Sequence, residues 1–301
     1  MSIIQRLNTI TALPTLPEVA IKVQQLIFSD DGCAATLSKI VEQDQSLTAV
    51  ILRVANSGFY GPASRISSIP LAITRLGFNE VGHIVIASSM VNKLSLKAHY
   101  LNYKQFWKHS LTAAYMAEAA ASISNTGIGA DKRQSLYLAG LLHDIGILLY
   151  DQFFHEEFKE ILDYAAKNEV SYLEAERAVA PKDTHAALGA ALLEMWKLSP
   201  DVINGVRFHH APEKAADKQK SIPFAIHLSE YILCNSGIGS FEGLIHRQGG
   251  SILSELSIDA DSMPGYLAKA QNEVDKSDLI LAMGGAEPEA GQNAGELLRT
   301  I

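Results

Sequence analysis

The run "LYLAGLLHDIGILLY" (residues 136–150) is apolar or glycine at thirteen of fifteen positions, yet it carries His143 and Asp144 side by side. An ionised carboxylate inside a core costs several kcal/mol unless it is paired, hydrogen-bonded or bound to a metal. The chain holds ten histidines, unevenly placed. His109 lies in an amphipathic run, His185 opens another, and His209–His210 close the one after it. His227 and Glu230 fall one turn apart in "AIHLSEYIL". Imidazole and carboxylate groups take up divalent transition metals, so a cation would answer the burial problem of Asp144. A carboxylate has two oxygens and can bridge two cations. Water held by such a cation has a lowered pKa and becomes a nucleophile at neutral pH.

Taken singly, each of these features has an ordinary structural reading. A buried His–Asp pair is more often a hydrogen bond than a metal site. His209–His210 suits a helix C-terminus, which favours cationic side chains, and His227 suits a core or interface. The succession H, HD, H, HH over consecutive helices is far more specific than any of its parts.

The elements that must position these residues are helices. In "PEVAIKVQQLIF", Val19, Val23, Leu26 and Ile27 recur at i, i+4, i+7 and i+8, an amphipathic stripe with Pro17 as a first-turn residue. A second stripe runs through Leu37, Ile40, Val41, Leu47, Ile51 and Val54. After the turn-rich "NSGFYGP" come two short helices parted at Gly77, with Asn79 as the expected cap of the second. A second helical block begins near Tyr103 and carries the histidines, the His143–Asp144 pair lying inside a buried helix. Ser199 before Pro200 reads as an N-cap with proline in the first turn. Beyond about residue 246 the signal weakens: "RQGGS" reads as a hinge, "SMPGYLAKAQNEVDKSDLILAM" as one or two helices, and "GGAEPEAGQN" as flexible. Alternating strand patterns are missing, so the fold class is all-α.

Composition narrows the function. With 301 residues, 48% hydrophobic and 19% charged, the chain suits a soluble globular protein of one large or two modest domains. A net charge of −8 and no Lys/Arg block argue against nucleic acid and anionic membrane as partners. No stretch reaches the roughly 18 uninterrupted apolar residues of a membrane span, and "MSIIQRLNTI" lacks an export signal's apolar centre. Cys33 and Cys234 are the only cysteines, which fits a reducing cytoplasm. "NEVGHIVIA" superficially suggests a helix-turn-helix but lacks basic residues to meet phosphates. "NSGFYG" has no Lys-Ser/Thr and is not a phosphate-binding loop. Asn56, Ser57 and Tyr60 are expected to form a capped turn packing the two helical blocks together, and Arg53 and Arg75 to meet surface carboxylates.

The order of histidines and aspartate resembles the HD superfamily of metal-dependent phosphohydrolases, whose core is all-α. Three N-terminal runs, "LPTLPEVAIKVQQLI", "VEQDQSLTAVILRVANSGFYG" and "SSIPLAITRLGFNEV", are similar to the HDOD domain, and the likeness covers roughly residues 8–240. The resemblance implies a regulatory relative of the HD hydrolases, of the kind found in bacterial signalling. Carried over position by position, it implies His109, His143 and Asp144 as ligands of a first metal, with Asp144 bridging. His185, His209 and His210 match the second metal's ligands in the HD-GYP branch, which cleaves cyclic dinucleotides. The chain also departs from that branch. The final Asp of its last core helix falls at Glu230 or is lost to Ser229, Ile147 stands where Lys is common, and no "GYP" follows "HHAPEK". These departures weigh against HD-GYP hydrolysis and leave metal binding as the expectation.

Three functions follow as expectations. One is an HDOD signalling protein holding one or two divalent ions (Fe, Mn, Ni or Zn), structurally or as a sensor, on His109, His143, Asp144, His185, His209, His210 and Glu230. Another is a phosphohydrolase acting on a phosphoester or nucleotide, with Asp144 in the catalytic role. The third is a metal-free interaction module. No receiver or output domain is recognisable, so a signalling partner is expected in trans. The expected organisation is an N-terminal bundle at 1–100, an HD-like bundle at 101–245 and an extension at 246–301. His209 and His210 can face one metal only where their helix ends, and Pro212 supplies that break.

Overall fold

A computed structural model of the chain describes residues 2–10, 13–29, 32–61, 65–95, 98–123, 128–129, 132–240 and 263–284. The expected hinge "RQGGS" and nearly all of "GGAEPEAGQN" lie outside them. Among the described residues every regular element is helical, so the fold is all-α. None of these helices is long and apolar enough to cross a membrane. The chain forms two compact units, one of Met1–Leu13 with Leu96–Val274 and one of Pro14–Ser95 with Asp275–Glu287.

Helix α1 (Ile3–Leu7) belongs to the larger unit, although the sequence suggests one bundle over 1–100. Its buried Ile3 and Leu7 face α12 (His185–Met195), and the Ile4 amide donates to Asp183 Oδ1 at 3.2 Å. A five-residue helix carries too short a stripe for its docking surface to be read from periodicity.

The smaller unit holds α2 (Glu18–Ile27), α3 (Ala34–Glu42), α4 (Gln45–Ala55), α5 (Ile69–Leu76) and α6 (Phe78–Leu94). Pro17 stands just before the first turn of α2, not in it. The stripe from Leu37 to Val54 is divided into α3 and α4 because Asp44 restarts the helix, accepting the amides of Ser46 at 2.8 Å and Leu47 at 3.1 Å. The cap expected at Asn79 is Gly77 instead. Its φ of +96° is costly for residues with a Cβ, while its amide closes α5 on the Ile73 carbonyl. Asn79 lies inside α6, which is 17 residues long and buried on nearly every face. Residues 81–91 are all buried because α2, α3, α4 and α5 all pack on this helix.

The loop after α4 is clamped by Asn56, whose side chain bonds the Leu52 and Ile66 carbonyls and the Ile66 amide. Arg75 donates to the carbonyls of Tyr60 and Gly61, and Arg53 to that of Met283. Both arginines therefore bind backbone carbonyls, not the surface carboxylates expected. Carbonyls in a loop or in a helix's last turn lack helical partners, and the guanidinium fork satisfies them.

In the larger unit, α7 (Tyr103–Ile123) packs on α8 (Arg133–Leu142) and α14 (Ser221–Asn235). Helix α9 (Ile145–Phe153) packs on α12 and α10 (His155–Asn168), and α13 (Pro200–Phe208) on α8, α12 and α14. Helix α11 (Tyr172–Val179) lies on α10 and starts with a Ser171–Glu174 capping box. Ser199 caps α13 through the Val202 amide, as expected. The run from Met263 forms one helix, α15 (Met263–Gly284). Glycines set the closest approaches: a Cβ on Gly140 would lie 2.8 Å from Ala114 Cα, and one on Gly146 only 1.9 Å from the His185 carbonyl oxygen.

Candidate metal centre

His143 and Asp144 do not lie within one helix. Helix α8 ends at Leu142 and α9 begins at Ile145, so the pair occupies the break between them. Consecutive side chains on a continuous helix diverge by about 100°, and Asp144, the N-cap residue of α9, spends no side-chain bond on that helix. The same device recurs after α13. His209 ends the helix, His210 follows in a turn, and Ala211 adopts φ −155° ahead of Pro212.

These breaks bring all seven candidate ligands together in two groups sharing Asp144: His109, His143 and Glu230 on one side, His185, His209 and His210 on the other. Asp144 Oδ2 lies 3.6 Å from His109 Nε2 and 3.3 Å from His143 Nε2. Its Oδ1 lies 3.4 Å from His185 Nε2 and 3.7 Å from His209 Nε2. Glu230 Oε1 completes the first group, 2.9 Å from His109 Nε2 and 3.2 Å from His143 Nε2. Ser229, the alternative to Glu230, spends its hydroxyl on the Ile226 carbonyl of its own helix. His210 Nε2 stands 3.0 Å from His185 Nε2, which is 3.3 Å from His209 Nε2. His227, half-buried on α14, belongs to neither group.

The separations match a coordination shell. Ligand atoms about 2.0–2.2 Å from one cation stand about 2.8–3.6 Å apart in tetrahedral or octahedral arrangement. The hydrogen bonds on the far side of four of the rings agree. Nδ1 of His143 is 2.7 Å from the Gly140 carbonyl, that of His209 2.6 Å from Val206, and that of His109 3.2 Å from Ile238. His185 Nδ1 lies 2.9 Å from Glu176 Oε2. An imidazole donating through Nδ1 presents a lone pair at Nε2. Here those lone pairs converge on each other and on carboxylate oxygens, an arrangement that a cation satisfies. The cluster can hold a metal.

The sequence pattern of the HDOD domain matches residues 13–212. The chain belongs to the HDOD family. Among solved structures it is similar to an HDOD domain protein of unknown function from Geobacter sulfurreducens, with 26% identity, TM-score 0.73, and coverage of 92% of this chain and 90% of that one. A Marinobacter aquaeolei VT8 protein, provisionally named a signal transduction protein, is 25% identical with TM-score 0.71, covering 95% of this chain and 61% of that one. An uncharacterized protein of Treponema pallidum (strain Nichols) is 27% identical over 231 residues, 72% of this chain. This chain spans only 42% of that relative's length.

Charge in this HDOD centre is decided by neighbours acting against burial. Burial raises the carboxyls of Asp144 and Glu230, yet the imidazoles beside them, His143 for Asp144 and His109 with His143 for Glu230, hold both well below their ordinary range. Burial pulls the His143 imidazole down, but Asp144 and Glu230 outweigh it and leave it well above 6.5. His185 is raised in the same way, by Glu176 and Asp144 against burial. Burial pushes His209 down to about 4. In the metal-free protein the neighbouring carboxylates thus favour the protonated forms of His143 and His185.

Three polar residues around the HDOD centre escape the sequence pattern. Glu176 is buried beneath His185. It shares the buried face of α11 with Tyr172 and Leu173, at i+4 and i+3, and a carboxylate on an apolar face is the signal that could have found it. Asp151 accepts the amides of His99, Tyr100 and Leu101 and the Tyr103 hydroxyl, anchoring the segment that leads into α7 and His109. Ser240 donates to Asp144 Oδ2, and no local pattern marks it.

Proposed function

We propose that this HDOD protein is a signalling regulator that holds two divalent transition cations as a structural or sensing centre, and not as a fast hydrolase. The observation that carries the reading is closure of the centre. His109, His143, Asp144, His185, His209 and Glu230 are each no more than 3% exposed, and the Ser240 hydroxyl occupies Asp144 Oδ2. Structural metal sites are closed, whereas catalytic ones keep a position open. The cations would supply the positive charge that two buried carboxylates need, together with Lewis acidity toward any oxygen reaching them. The seven candidate ligands would hold and orient them, and the Nδ1 partners of His109, His143, His185 and His209 would fix the tautomers of those rings. Ile147, buried at the start of α9, has no proton to give a leaving group. The name of the Marinobacter relative and the family resemblance support a role in signalling, with a protein partner to receive the signal. Cys33 and Cys234, neither of them in a disulfide, fit a cytoplasmic setting.

A phosphohydrolase reading is favoured by one observation: His210, only half-buried, leaves the second group a side on which a phosphoester could arrive. Both readings meet one experiment. Protein purified without chelators or a nickel column is analysed for metal, then screened with Mn, Fe and Ni against phosphomonoesters, phosphodiesters and cyclic dinucleotides. The expected result is two ions per chain and slow hydrolysis or none. Rapid turnover would select the hydrolase, and failure to take up any ion would leave a metal-free interaction module.

A further inference from the structure

The four imidazoles that aim Nε2 at Asp144 are not held alike. His109, His143 and His209 each lean on a backbone carbonyl, whereas His185 leans on the carboxylate of Glu176. Glu176 is 1% exposed. Its Oε1 accepts the His185 amide at 2.6 Å, lies 3.0 Å from Nδ1 and accepts the Tyr172 hydroxyl at 3.1 Å, while Oε2 lies 2.9 Å from Nδ1. Carboxylate, backbone amide and ring are thus locked together at the first residue of α12.

Charge explains why such a device belongs at this ring. The group around Asp144 Oδ2 includes a carboxylate of its own, Glu230, besides the shared one. The group around Oδ1 has three neutral-capable imidazoles and only a share of Asp144. A divalent cation buried there would be left with excess positive charge, which is costly in a low-dielectric interior. Glu176 is the negative charge placed directly behind one of its ligands.

Resting on the two-cation reading, we propose that Glu176 is a positioning residue for the second cation. Through Nδ1 it orients the His185 ring and strengthens Nε2 as a donor, and it supplies the negative charge that the His185–His209–His210 group lacks. The two cation sites are therefore under separate control. One draws on Glu230 as a direct ligand, the other on Glu176 through an imidazole.

The test uses Glu176→Gln, which keeps an acceptor for Nδ1–H and removes the charge. Metal-stripped full chain is titrated calorimetrically with Mn, and bound Mn is followed by electron paramagnetic resonance. The unaltered chain should take up two ions with a spin-coupled spectrum. Glu176→Gln should bind the first with unchanged affinity and the second about 10–100-fold more weakly, giving a single-ion spectrum at intermediate Mn. Glu230→Gln should weaken the other ion, and Glu176→Asp should recover part of the lost affinity. A purely structural Glu176 would weaken both ions alike, and an idle one neither; either result overturns the proposal. Fewer than two ions on the unaltered chain would instead overturn the two-cation reading, and this inference with it. If Glu176→Gln does not fold, Glu176→Asp decides: an unweakened second ion, or equal loss of both, refutes the assignment.

Discussion

At the scale of single residues, Asp144 is the joint of the whole cluster, because Oδ1 faces His185 and His209 while Oδ2 faces His109 and His143. Replacing it removes the carboxylate that the two groups share. Asp144→Ala should abolish uptake of both ions and, in metal-free protein, destabilise the fold by about 3–5 kcal/mol, the usual cost of breaking a buried pair by removing one partner. Elemental analysis after desalting and a denaturant titration measure the two effects. Glu230→Ala should weaken mainly the ion on the Oδ2 side. Metal occupancy unchanged in Asp144→Ala would end the bridging assignment.

Elements place these atoms by stopping. Had α8 continued through His143 into α9, or α13 through His210, neighbouring side chains would diverge by about 100°. The breaks turn adjacent residues toward common targets, and tight packing holds the broken ends in place. At Gly146 an added Cβ would lie 1.9, 2.6 and 2.8 Å from the carbonyl oxygen, carbonyl carbon and Cα of His185, all backbone atoms that cannot swing aside. Gly146→Ala should therefore cost at least the roughly 1–3 kcal/mol typical of overpacking and displace His185 from the cluster. Gly58, with nothing within 4 Å of its would-be Cβ, is the control, and Gly58→Ala should stay within about 0.5 kcal/mol. Chemical denaturation of the two variants compares them, and equal stability would show that the α9–α12 approach is slack. This scale was only partly legible in sequence. Periodicity located the helices, but the breaks at Asp44 and at His143–Asp144 fall within continuous apolar stripes. There, cap chemistry and tertiary contacts override the pattern.

The whole molecule couples this centre to pH. In metal-free protein His143 and His185 are raised above 6.5, so their contribution to stability is complete below that value and is lost as pH rises through their folded values. His209 is lowered to about 4, so stability also falls as pH drops from 6.5 toward 4, where this buried neutral ring must accept a proton. Asp144 and Glu230 are depressed below 3.8 and 4.5. Their stabilisation is present above those values and disappears as acid protonates them in the fold. The metal-free chain should thus be most stable near or slightly below pH 6.5. Because the raised imidazoles of His143 and His185 favour protons that a cation would have to displace, metal binding should release protons and tighten from pH 6 to 8. Melting curves across pH, with and without Mn, test both halves. A metal-free protein that keeps gaining stability from pH 6.5 to 8 would contradict the raised values of His143 and His185.

The sequence by itself determined the all-α class, the HDOD family and the candidate residues. The class and the candidate residues follow from information carried locally, in 3.6-residue periodicity, capping residues such as Ser199 and titratable groups embedded in apolar runs; the family follows from the resemblance of the N-terminal runs and of the H, HD, H, HH order. Only the tertiary structure decided which oxygen of Asp144 faces which imidazoles, and that Glu230 joins the cluster while Ser229 turns back on its own helix. It also decided that Glu176 stands behind His185 and that Ser240 closes over the shared carboxylate. Apart from the bond of Ser229 to its own helix, these are relations between residues 9 to 121 positions apart. A one-dimensional pattern can mark a buried polar group as needing a partner, but the partner is chosen by how helices with similar apolar faces pack in three dimensions.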